Sequence, residues 1–291
     1  MKPVKGAPLR PNAATLARFN RGWMALIDQM TRETTKELTA LFKRSDSAAL
    51  DSLEVRVLRD VGFGCRISPV TVAMDATLGD EAQSIIDRLL GKFTVLFDRA
   101  ATGLVSVMTA DTLRDSATGL QRSLKDISGQ VTLPMTDQLR EVVDASAQEA
   151  AGLIKRVPVD YLPAVQGDVM RSITTGNGLA DLEPALAKQN VKVKNWASNV
   201  AKDQTRKVYA NINKVRMQQV GIKKFMWLHS GGSNKPRKYH MDRAPGGLNG
   251  GIFSFDDPPV IDERTGERGI PGQLPYCGCT ASPIIEFSDE E

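Results

Sequence analysis

The chain has 291 residues, with 38 Lys and Arg against 34 Asp and Glu for a net charge of +4, and three cysteines. That length allows one large domain or two ordinary ones. An odd number of cysteines, two of them separated by a single residue, does not make a disulfide framework and points to synthesis in a reducing cytoplasm. No apolar run approaches the roughly 18 residues a bilayer-spanning helix needs, and no apolar stretch follows the basic N-terminus, so neither a membrane span nor secretion is expected.

Residues 1–14 are rich in Pro and basic groups and are expected to form a flexible arm. From Thr15 the periodicity changes. Leu16, Phe19, Trp23, Leu26, Met30, Leu38 and Leu41 recur three and four apart, the stripe of an amphipathic helix reaching about Arg44. Ser45, Asp46 and Ser47 could end or restart it. Residues 60–79 are irregular, broken by Gly62, Gly64 and Pro69, and Cys65 there reads as a small buried apolar group.

Asp80 can cap a helix carrying Ile85, Leu89, Phe93, Leu96, Phe97, Leu104, Val107 and Met108, and a further helix follows through Leu113, Leu120, Leu124 and Ile127. Pro134 suits the first position of the next, which ends at Lys155 and Arg156. A helix around Val165 to Ile173 leads to a turn at Thr175–Gly178, and a last long helix spans about Asn195 to Gln219, stopped by Gly221. The helices before this last one define an N-terminal helical domain, residues 15–187.

Residues 188–291 read as a second domain, a basic helix leading into a small lobe. Short apolar runs at Phe225–Leu228, Ile252–Phe255 and Ile284–Phe287 alternate with Gly, Pro, Asn and Asp clusters, the pattern of short strands and tight turns. The fold class expected is therefore α+β, predominantly α: long amphipathic helices in the N-terminal two-thirds, then a turn-rich domain of short β-strands.

Charge is unevenly placed. Residues 188–244 hold fourteen Lys and Arg against two Asp, whereas residues 256–291 hold nine acids against two bases. The excess nominates Lys202, Arg206, Lys207, Lys214, Arg216, Lys223, Lys224, Lys235, Arg237 and Lys238 for contact with phosphates or an acidic protein surface. Few aromatics accompany them, so any nucleic acid would be held by its backbone without reading of sequence.

His229, His240, Cys277 and Cys279 offer two imidazoles and two thiolates, the donor set of a tetrahedral zinc site, although a single residue between paired cysteines is a tight spacing. The competing reading is a turn-bonded histidine above two core thiols. No phosphate-binding glycine loop, nucleophile elbow or zinc-protease helix motif occurs, and no enzyme is expected.

Trp227-x-His229-Ser230-Gly231-Gly232 is followed by Pro236, Arg237 and His240. Gly251 and Phe253, the run Phe255–Pro259, then Gly266, Glu267, Arg268, Pro271, Gly272, Cys277, Cys279 and Pro283 come after in order. This series, from about Lys194 to Phe287, resembles the C-terminal domain of the phage Mu F-like minor head proteins, also called the phage head morphogenesis family. Gly278 stands where that family usually has Arg.

The resemblance implies a minor capsid protein of a tailed phage, lying inside the head of the virion. Its implied partners are the portal oligomer, the major capsid or scaffold protein, and packaged double-stranded DNA, with roles in head assembly, packaging or ejection. The alternatives are a zinc-stabilised nucleic-acid-binding protein without sequence specificity and a thiol or metal hydrolase.

Overall fold

The computed structural model describes residues 3–60, 77–128, 131–230 and 237–286. Its long helices are α1 (Ala13–Asp60), α2 (Leu78–Ser128), α3 (Asp137–Lys155), α4 (Val157–Thr175) and α5 (Leu179–Gln219). Strands β1 (Val4–Lys5), β2 (Lys224–Leu228), β3 (Ile252–Ser254), β4 (Val260–Asp262), β5 (Glu267–Arg268) and β6 (Thr280–Ile285) and the short helix α6 (Lys238–Met241) complete it. The protein is α+β and predominantly α, with its short antiparallel strands towards the C-terminus. Residues 61–76, including Cys65, and residues 231–236, including Lys235 and Pro236, lie outside the described residues.

The helices are longer than local signals indicate. α1 continues through Ser45–Ser47 to Asp60. Its buried stripe through Thr15, Phe19, Trp23, Ile27, Met30, Thr34, Leu38 and Leu41 leaves Leu16 and Leu26 only half-buried. α2 is a single helix where two were expected. Thr77 caps it: the Thr77 hydroxyl accepts the Asp80 N–H at 3.2 Å while the Asp80 carboxylate accepts the Thr77 N–H at 3.2 Å. Asp80 is thus the third-position partner in a reciprocal capping box rather than the cap itself.

Within the Leu78–Lys125 stretch of α2 an 18-residue window reaches a mean hydropathy of 1.2, so by length and composition this helix could cross a bilayer, which the interrupted runs of its sequence did not suggest. The core helix of a packed domain passes the same test. α3 begins after Pro134, with the Thr136 hydroxyl accepting the Leu139 N–H at 3.3 Å. α5 starts at Leu179, well before Asn195, and ends as expected. Gly221 N–H donates to Gln218 O at 3.0 Å and Ile222 N–H to Met217 O at 2.9 Å, a Schellman cap with Gly221 at φ 77°.

The chain divides into two compact units that do not follow chain order, and position 188 lies inside α5. One unit comprises Met24–Ala100 and Ile154–Trp196. Within it Phe42, Ile86, Phe93, Phe97, Leu162 and Val169 are buried, and the Tyr161 hydroxyl donates to Asn190 Oδ1 at 2.6 Å.

The other comprises Met1–Trp23, Ala101–Leu153 and Ala197–Glu291. Its sheet has the order β1-β6-β2-β3, antiparallel throughout, with Phe225 opposite both Phe253 and Pro283; β4 and β5 form a separate hairpin. β2 turns Phe225 and Trp227 inward, as strand alternation requires. There they join Phe253, Phe255, Leu120 and Leu124 of α2, and Tyr209 and Met217 of α5 in one core.

The N-terminal residues are part of this sheet and not a loose arm. β1 pairs with β6, Leu9 bridges Ala281 and is 3% exposed, and Gly6 O accepts the Ser282 hydroxyl at 2.7 Å. A Cβ on Gly6 would stand 2.6 Å from Ser123 Oγ, so the chain can pass α2 here only as glycine.

Candidate functional site

His240 on α6 and Cys277 and Cys279 ahead of β6 meet at the edge of this core. All three are buried, with exposures of 3%, 3% and 6%. His240 Nδ1 lies 3.6 Å from Cys277 Sγ and 3.8 Å from Cys279 Sγ, and the three donor atoms all fall within 4.8 Å of one another. Cys277 follows a turn and Cys279 immediately precedes β6, and both sulfurs reach the same imidazole nitrogen. Both are free thiols.

The imidazole is oriented from behind. Its Nε2 stands 3.1 Å from Ile261 O, an acceptor only, so Nε2 carries a proton and Nδ1 is the nitrogen left facing the two sulfurs. Trp227 meets the ring edge-on at 5.2 Å and 70°, and Tyr239 at 4.7 Å and 87°.

Cys277 is placed by the turn Leu274–Cys277, closed by Cys277 N–H donating to Leu274 O at 3.1 Å, with Tyr276 at φ 58°. Asp203 of α5 accepts the Tyr276 N–H at 2.9 Å, and Arg237 donates to Pro275 O at 2.9 Å.

A hydrogen bond from Cys279, then His240 and the backbone N–H groups of Cys279 and Gly272, hold the Cys277 thiol well below the ordinary thiol range despite burial. The same bond to Cys277, together with burial, pushes Cys279 up. The pair therefore favours one thiolate and one thiol. Trp227 Nε1 finds no acceptor in ordinary hydrogen-bond geometry, yet its dipole favours charge on Cys279.

His229, the fourth expected ligand, does not join this cluster. It is half-buried and lines a cleft of about 370 Å³ with Arg10, Asn12, Lys202, Arg206 and Ser230. Arg10 belongs to the segment expected to be loose, and no charge count around residues 188–244 could have included it.

The basic set is spent unevenly. Arg216 is 5% exposed and donates to Leu113 O at 2.6 Å, so it is corrected from a surface contact to a buried structural donor. Lys207 pairs with Glu149 at 2.8 Å and Lys224 with Glu286 at 2.7 Å, while Lys214 is half-buried. Lys202, Lys223 and Lys238 are exposed.

Cys277 and His240 also form the pairing a thiol hydrolase uses. Here the second imidazole nitrogen is held by a backbone carbonyl, and burial closes both sulfurs to a substrate carbonyl, which disfavours nucleophilic attack.

Residues 163–282 match the family model described as "Phage Mu protein F like protein". The C-terminal region is thus similar to the Mu F-like family over these residues. The match begins in α4, earlier than the motif series at Lys194, and includes the His240, Cys277 and Cys279 cluster. A Haemophilus influenzae protein carrying the description "Uncharacterized protein" is 26% identical over 193 residues, 66% of this chain and 40% of its own length. The chain thus spans less than half of that relative. No solved structure matches.

The described positions of the Mu F-like series gather in one lobe. Trp227, Phe253 and Pro283 lie in its sheet. Gly251, at φ 81°, turns the chain into β3. Gly266 turns the β4–β5 hairpin at φ 72°, next to Glu267 and Arg268 of β5, and Arg268 donates to Asp257 at 2.7 Å. Pro271 and Gly272 precede the thiol turn. At Gly278 a Cβ would come within 2.8 Å of Ser230 Oγ, so a larger residue there would require Ser230 to move.

Proposed function

We propose that this protein acts in phage head morphogenesis, docking inside the head on the portal oligomer or on neighbouring capsid or scaffold proteins. The observation that carries the proposal is the Mu F-like match over residues 163–282. In support, the motif residues serve to build and pin one lobe, as expected of a module that presents surfaces rather than one that turns over substrate. The test is co-expression with the portal protein of the same phage, followed by sedimentation at moderate salt and imaging of assembled heads. Co-migration with the portal and density for this chain within the shell are expected. Heads lacking the polypeptide would overturn the reading.

A second reading is favoured by the cleft where Arg10, Lys202 and Arg206 converge with His229. Three guanidinium and ammonium groups around one opening suit a phosphate backbone, making packaged DNA a further partner held through counterion release. Binding to duplex DNA that weakens steeply as salt rises is the expected result. A salt-insensitive or absent interaction removes DNA from the partners.

A further inference from the structure

We propose that His240 Nδ1, Cys277 Sγ and Cys279 Sγ bind a Zn²⁺ ion that pins the turn at residues 274–277 and the start of β6 to α6. The geometry carries this. With zinc bonds of about 2.3 Å to sulfur and 2.0–2.1 Å to nitrogen, a tetrahedral centre places sulfur and nitrogen ligands about 3.6 Å apart. The separations here are 3.6 Å and 3.8 Å.

The surroundings are those of metal thiolates. Ile261 O holds the Nε2 proton, as in the carbonyl-to-histidine-to-metal arrangement that fixes the ligating tautomer. All three donors are buried and their atoms lie within 4.8 Å of one another, so a single ion can reach every one of them. Three protein ligands leave one tetrahedral position for water, and binding releases thiol protons to solvent. The proposal does not rest on head assembly: a chain without metal could still dock, and a metal-bound chain need not.

The test uses the full-length chain, expressed without a histidine tag in zinc-supplemented medium and dialysed. Elemental analysis is expected to find about one zinc per chain, released when a mercurial blocks the thiols. Replacement by Co²⁺ is expected to produce a thiolate-to-cobalt charge-transfer band in the near ultraviolet and visible bands of tetrahedral intensity. Cys279→Ser should weaken the charge-transfer band about twofold, since one of two sulfurs is lost. His229→Gln should leave metal content unchanged. Absence of both zinc and any cobalt–thiolate band in the unmodified chain would overturn the proposal whatever the variants do, and loss of metal in His229→Gln would overturn the ligand set.

Discussion

The Asp203 carboxylate accepts the backbone N–H of Tyr276 at 2.9 Å, so a residue of α5 holds the turn that delivers Cys277 to His240. Burial raises the Asp203 pKa above its ordinary 3.8, against the pull of the Tyr276 N–H and of Arg206. A carboxyl with a raised folded pKa favours the folded state while protonated. That contribution is complete below pH 3.8 and is lost as pH climbs through the raised value.

Asp203→Asn keeps an acceptor and does not titrate. Relative to the parent chain it should therefore gain stability between acid and neutral pH. Asp203→Ala, leaving the N–H unpaired, should be about 1 kcal/mol less stable than Asp203→Asn. Urea midpoints at both ends of that pH window measure these differences, and an unchanged gap between parent and Asn would remove the raised carboxyl from the account.

Tyr276 occupies the left-handed region at φ 58° with its side chain 66% exposed. A side chain there costs about 1–2 kcal/mol of backbone strain, and little packing offsets it. Tyr276→Gly should raise the melting temperature, whereas the β-branched Tyr276→Val should lower it. Calorimetry on the two variants gives the order directly.

Leu9 fixes the N-terminal segment into the sheet core. Leu9→Ala should cost about 3 kcal/mol, the usual loss for a buried leucine. Hydrogen exchange should then show faster opening of β1 and β6, an effect that a loosely draped arm would not transmit.

Arg216 and Arg10 exchange the roles their charges suggest. Arg216→Ala should destabilise the fold by about 2 kcal/mol through loss of its charge-assisted hydrogen bond to Leu113 O at a buried site, yet leave the salt dependence of DNA binding unchanged. Arg10→Ala or Lys202→Ala should leave stability intact and each reduce the slope of log affinity against log salt by about 1. Equal slopes in all three variants would place the DNA contact elsewhere.

Much of this lobe was legible along the chain. The apolar run Phe225–Leu228 between turn clusters marked a strand, Gly176 and Gly221 marked helix ends, and the ordered series from Trp227 to Pro283 indicated the family, while the inward face of Phe225 and Trp227 came from the structure. Boundaries were less legible. α1 runs past Ser45–Ser47, because packing of the rest of the helix outweighs three weak helix formers, and α2 carries Gly91 and Gly103 without breaking.

Local periodicity and turn chemistry thus determined the element types, the helical excess and the donor types of the buried cluster, since each depends on neighbours within a few residues. Tertiary structure alone decided that His240 and not His229 faces the thiols, that Arg216 is buried while Arg10 joins the basic cleft, and that the first residues complete the last strand's sheet. Those outcomes depend on contacts between segments as far apart as Gly6 and Ser282, a separation over which no sequence period carries information.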